Sequence, residues 1–179
     1  MEPQLKSISK AGIAEAIAKA ELYRYLNEPE EAESICRDIL SVDSQHQLAR
    51  RLLGLAITDQ FTGGAGDRYA EVFAAFKDLY EPYERSYYLG LLLERRAKVQ
   101  LHSGHAPHTL LPLIEEAMRY FAEAEQLRPA GNDDSILRWN RCVRLLEENP
   151  GFRMERDALP QDAEDSPPAH IRSKRAGER

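Results

Sequence analysis

Long apolar runs, cysteine clusters, a cation excess and strand-like alternation are all scarce in this chain. No stretch approaches the ~18 consecutive apolar residues that spanning a bilayer requires. The polar N-terminus, Met1 to Lys10, leads into an Ala-rich stretch interrupted by Glu15 and Lys19, so the uncharged core of a signal peptide is lacking too. The expectation is a soluble protein of the cytoplasm with no membrane contact. The two cysteines, Cys36 and Cys142, stand far apart and match no zinc spacing. Both fall inside helical patterns, where a free thiol behaves as a small buried hydrophobe. A reducing compartment fits, and a single disulfide stays open. The formal net charge of -6 argues against nucleic acid as the main partner, because phosphate backbones are bound by clustered cations that displace counterions.

What the chain has in quantity is Ala, Leu, Glu and Arg, all strong helix formers. With 42% hydrophobic and 30% charged residues over a length of 179, most of it is expected to fold as one all-α domain. Apolar residues recur at helical spacing almost at once, at Ile13, Ile17, Ala20 and Tyr23. Asn27-Glu-Pro-Glu30 reads as a stop and a start, with Asn27 as cap, Pro29 in the first turn and Glu30 completing a capping box. Ser44 and Gln47 repeat that spacing and open a third helix. After the loop Gly63-Gly64-Ala-Gly66, a fourth helix is predicted over roughly 67–80. Pro82 opens a fifth, ending near His102, and the sixth runs from the Pro107 turn to just before Pro129. Asn132, Asp133 and Asp134 supply caps for a seventh that ends near Asn149-Pro150. Residues 151–179 are polar, with Pro160, Pro167 and Pro168, and are expected to form a disordered tail.

These units repeat. Leu53-Gly54 recurs as Leu89-Gly90, 36 residues later, and Lys19-Ala20 lies 34 residues earlier. Three positions beyond each small residue stands a larger one, Tyr23, Ile57 and Leu93. In the second helix of each unit, Ala32, Ala70 and Ala117 are followed four residues on by Cys36, Ala74 and Phe121. The spacing resembles the tetratricopeptide repeat, whose signature runs Leu-Gly-x-x-Tyr, then Ala-x-x-x-Phe, then Pro. The fullest half-match is Ala117-x-x-x-Phe121 with Ala124 and Pro129. The resemblance implies about three helix-turn-helix units in residues 10–150, after a polar segment 1–9, with the seventh helix as the polar-faced cap of the array. Departures are visible: the glycine loop lengthens the second unit, the third has a longer first helix and turn, and serine replaces the first closing proline.

Candidate chemistry is sparse. His102, His105 and His108 are the one set whose spacing suits zinc, yet no carboxylate or cysteine accompanies them, and Ser103, Gly104 and Pro107 are turn residues. Neither cysteine has a base nearby in sequence. The glycine loop lacks the Lys-Ser/Thr of a phosphate loop and follows no strand. No catalytic residue, metal site or cofactor is expected, and the chain does not read as an enzyme. Trp139 is expected to pack the terminal helix onto the array with Ile136, Leu137, Val143 and Leu146. The acidic stretch Asp157 to Asp165 and the basic stretch His170 to Arg179 read as a solvated, self-attracting tail.

The resemblance directs the first helices of successive units at a concave groove. It implies that Ile17, Glu21, Arg24 and Tyr25, then Arg51, Leu55, Thr58 and Asp59, then Glu84, Tyr87, Leu91, Glu94 and Arg95 line it, with Ile17, Leu55 and Leu91 equally suited to the core. Aromatic and Arg anchors are the residue types enriched at interaction sites. The Lys and Asn pairs with which family members bind chaperone tails are missing. The expected function is a non-catalytic scaffold or adaptor that binds an unidentified protein or peptide segment in this groove. A small chaperone or assembly factor of the same type, or a metal-binding protein using His102, His105 and His108, are the alternatives. Homo-oligomerisation is left open.

Overall fold

The computed structural model describes residues 2–152, and every regular element in that range is helical. Seven α-helices follow one another: α1 Ile13–Tyr25, α2 Pro29–Val42, α3 Gln47–Asp59, α4 Tyr69–Lys77, α5 Pro82–His102, α6 Pro107–Leu127 and α7 Asp134–Glu148. Short 3-10 turns precede α1 at Lys10–Gly12 and follow α7 at Pro150–Phe152. The expected all-α class holds for this range. The expected disordered tail lies, from residue 153 onward, outside the described residues. No helix among the described residues is long and apolar enough to cross a membrane.

Prolines open three of the helices, as expected of a residue whose missing N–H costs nothing in the first turn: Pro29, Pro82 and Pro107. The polar caps fall elsewhere than their spacing suggests. Asn27 does not cap α2. It takes a left-handed φ of 62° and closes α1, its N–H donating to Arg24 O at 3.1 Å while Glu28 N–H reaches back to Tyr23 O at 2.8 Å. That pair of bonds is a Schellman ending, and Asn tolerates the left-handed region it needs. Ser44 likewise does not cap α3. His46 does, its Nδ1 accepting from Ala49 N–H at 3.2 Å. Asp67 stays outside α4 and accepts the Thr62 and Gly63 N–H groups at 2.9 Å, fastening the glycine loop.

Consecutive helices pack on one another, and the odd helices also touch in series, α1 on α3, α3 on α5 and α5 on α7. Close approach is possible where side chains are small. A methyl group built on Gly54 would run into the ring of Phe76 on α4. One built on Gly90 would lie 2.8 Å from Phe121 Cε1 and 3.1 Å from the carbonyl of Ala117, both on α6. Glycine is needed at both places because a phenylalanine fills the space opposite. The second unit is out of step with the predicted register, however. Ala32, Cys36, Ala117 and Phe121 are fully buried, but Ala70 and Ala74 face solvent, and Val72 and Phe76 take the buried positions. The long glycine loop shifts α4 by two residues, which turns a different face inward.

The core forms two clusters, one over α1 to α5 and the other over α5 to α7 with Phe152, and Tyr69, Tyr87 and Tyr120 pack against both. Phe152 is only 2% exposed, so the folded chain passes the boundary expected at residue 150. Cys36 and Cys142 are free, buried and in different clusters, and burial pushes each thiol up to about 12. Trp139 departs from expectation: it is 36% exposed and belongs to neither cluster, whereas Leu146 packs inward and Leu137 is exposed.

Candidate functional site

The odd helices carry all the residues that the resemblance directs to a groove, and the structure ties many of them to one another. Arg24 on α1 donates Nε–H to Asp59 on α3 at 2.8 Å, and Arg95 on α5 pairs with the same carboxylate from the other side. Arg95 also donates to Thr58 Oγ1 at 2.6 Å, and Thr58 in turn donates to the carbonyl of Leu55 at 2.8 Å. Arg51 on α3 pairs with Glu84 on α5. Glu94 on α5 pairs with Lys98 on its own helix and, at 3.6 Å, with Arg138 on α7. A ladder of alternating charges thus crosses all four odd helices. Opposite charges on helices that touch in series pair because each long side chain reaches one helix spacing.

That ladder corrects the expected roles of several residues. Glu94 is fully buried, so it faces neighbouring helices and not an incoming partner, and Thr58 is only 4% exposed. Tyr87 is a packing residue. Its ring meets Tyr88 edge-on at 5.1 Å, stacks with Tyr83 at 5.9 Å and tilts against Phe121 at 6.0 Å. Ile17, Leu55 and Leu91 are buried in the first cluster. Arg24, Arg51, Asp59, Glu84 and Arg95 spend their charges on each other.

Two of the expected residues stay free. The Glu21 carboxylate has no ion pair or side-chain hydrogen bond among the described residues, and Tyr25 is 88% exposed. Both border an open pocket of about 420 Å³ that is also lined by Arg24, Arg51, Leu52, Leu55 and Tyr88. Tyr88 lies under the Arg51 guanidinium, 5.8 Å from ring centroid to Cζ, a cation–π contact at the pocket wall. Beside Tyr25, on the same α1 face, Leu22 and Leu26 are about half exposed.

Tyr88 lines this pocket, and Leu22 and Leu26 stand exposed beside Tyr25, although the repeat alignment singles out none of them. The leucines could have been found: with Tyr25 they form an i, i+3, i+4 stripe on the side of α1 away from Ile13, Ile17 and Ala20. The histidines form no metal-ligand group among the described residues. His102 sets its Nδ1 on the Lys98 carbonyl at 2.7 Å, His105 on the Gln100 carbonyl at 3.1 Å, and no three metal-ligating side chains come together among the described residues. Compared with known proteins, the chain matches no family model, no curated protein and no solved structure.

Proposed function

We propose that this chain is a divergent tetratricopeptide-like scaffold that holds a peptide or helical segment of another protein on the face of its odd helices. The repeat reading is supported by the odd helices touching in series and by glycine facing phenylalanine at two equivalent crossings, Gly54 with Phe76 and Gly90 with Phe121. One observation carries the functional reading. On a face where almost every charge is matched within the chain, the pocket beside α1 keeps an unmatched carboxylate, Glu21, and an exposed aromatic, Tyr25. An unmatched charge next to an apolar floor of Leu52, Leu55 and Tyr88 suits a segment with a hydrophobic side chain followed or preceded by a cation. The role is non-catalytic and cytoplasmic, that of an adaptor or a small assembly factor, with no cofactor.

A displayed library of random peptides tests this reading. Peptides captured by the parent chain are expected to pair an aromatic or aliphatic residue with Lys or Arg. Tyr25→Ala should weaken their binding by about thirtyfold, the effect of truncating a central anchor worth ~2 kcal/mol. Glu21→Arg should abolish selection of the cation. Neither residue holds another helix, so both variants should melt like the parent. His102→Ala and His105→Ala should leave capture unchanged. Loss of capture in the histidine variants alone would replace the scaffold reading with the metal one.

A further inference from the structure

The turn between α2 and α3 and the turn between α4 and α5 are clasped together at one edge of the molecule. Tyr80 donates its hydroxyl to Gln45 Oε1 at 2.8 Å and its N–H to Gln47 Oε1 at 2.7 Å, while Arg50 reaches Asp78 Oδ2 at 2.8 Å. Between these turns an open pocket of about 430 Å³ is lined by Gln45, Arg50, Lys77, Asp78, Tyr80 and Arg85. Of the seven lining residues, Leu79 included, three are cations and one is an anion, in a chain whose net charge is -6.

The cations are underused. Lys77 has no partner for its ammonium group among the described residues. Arg85 donates to the carbonyl of Leu79 at 3.0 Å and pairs with no carboxylate among the described residues. Arg50 gives Nη1 to Asp78 and Nη2 to the carbonyl of Ser44 at 2.7 Å, which leaves its buried Nε–H without an acceptor. Asp78, the single carboxylate, is 62% exposed and pairs only with Arg50 among the described residues.

We propose that this pocket binds the phosphate group of a phosphate monoester. A phosphate carries about -1.5 to -2 at pH 7, which matches the excess of three cations over one carboxylate. Guanidinium forks suit its oxygens bidentately, and an ammonium group adds a point charge. A pocket of this size falls in the range of small-ligand sites, roughly 300–1,000 Å³, so there is room for the group that carries the phosphate. The site stands apart from the Glu21–Tyr25 pocket, and neither proposal depends on the other.

Nuclear magnetic resonance on the isotope-labelled full chain tests it, with inorganic phosphate and O-phosphoserine titrated against chloride at equal ionic strength. The expected result is saturable shifts of the Leu79 and Tyr80 amides, with none in chloride. Lys77→Gln and Arg85→Gln should each weaken binding by about tenfold or more, the loss of one charge-assisted hydrogen bond. Asp78→Asn should tighten it, because the competing carboxylate is gone, whereas a purely structural Asp78 would make binding weaker. Stronger shifts with O-phosphoserine identify an ester as the source, and stronger shifts with inorganic phosphate identify the free ion. Equal, unsaturable shifts in phosphate and chloride, or unchanged affinity in both glutamine variants, would overturn the proposal.

Discussion

At the scale of single residues, the helix crossings depend on what glycine leaves out. Alanine in place of glycine inside a helix normally gains up to ~1 kcal/mol. At Gly54 and Gly90 the added methyl meets a phenylalanine ring already in place. Gly54→Ala should therefore destabilise by ~1–3 kcal/mol in chemical denaturation, the cost of overpacking, and Phe76→Leu should recover part of that loss when combined with it. A gain in stability for Gly54→Ala alone would mean that the ring moves aside freely. Phe152 makes the opposite point, since its side chain is buried though only a 3-10 turn holds it. Phe152→Ala should cost ~3 kcal/mol or more, which a melt of the full chain would register. That Gly54 sits at a close crossing was legible as a small residue recurring at a repeat interval. That a phenylalanine faces it was not, because that depends on the rotation of α4.

At the scale of elements, α4 is held by a carboxylate from another helix. Glu33 on α2 accepts both Nη groups of Arg68, which precedes α4, each at 2.5 Å. It also takes Gln60, which follows α3, at 2.8 Å, and Arg37 at 2.9 Å. The Arg68 guanidinium is the main reason that the Glu33 carboxyl drops to about 2, from 4.5, against the opposing effect of burial. The folded carboxyl therefore titrates below the unfolded one. The contribution of this clip to stability is complete above about pH 4.5 and fades as pH falls toward 2. Glu33→Gln should cost ~1–3 kcal/mol at pH 7, and the gap between variant and parent should close on acidification. A gap independent of pH in urea titrations would show that the charge of Glu33 is not what holds α4. The local sequence offers only the i,i+4 pair of Glu33 with Arg37; the partners that tie it to α3 and α4 lie 27 and 35 residues away.

At the scale of the whole molecule, two hydrophobic clusters meet through a few tyrosines, and Tyr87 touches rings on both sides of the junction. The parent should unfold in one transition, with Trp139 fluorescence at the α7 end and far-ultraviolet circular dichroism following the same curve. Tyr87→Ala should separate the two curves, because in a linear array the halves stay together only through their shared interface. Coincident curves in the variant would place the coupling in the ladder of charges instead. The same array makes Arg51 and Arg95 poor sites for probing a partner: reversing either charge breaks a contact between helices before it reaches any ligand.

Helix content and the first-turn prolines were legible in the sequence alone, because periodic apolar stripes, first-turn prolines and glycine breaks act within a few residues of one another, whereas the roles of Asn27 and Ser44 and the start of α4 were not. Pro29, Pro82 and Pro107 open α2, α5 and α6 as their positions require. The interval between Gly54 and Gly90 was equally plain. What the tertiary structure decided is which side chains remain free. Arg24, Asp59 and Arg95 look like an exposed binding set when read along the chain, and so do Arg51 and Glu84. They neutralise one another only once α1, α3 and α5 lie side by side. Glu21 and Tyr25 are left over by the same arithmetic. Charge pairing across helices depends on distances between residues some 35 positions apart, and no local pattern encodes such distances.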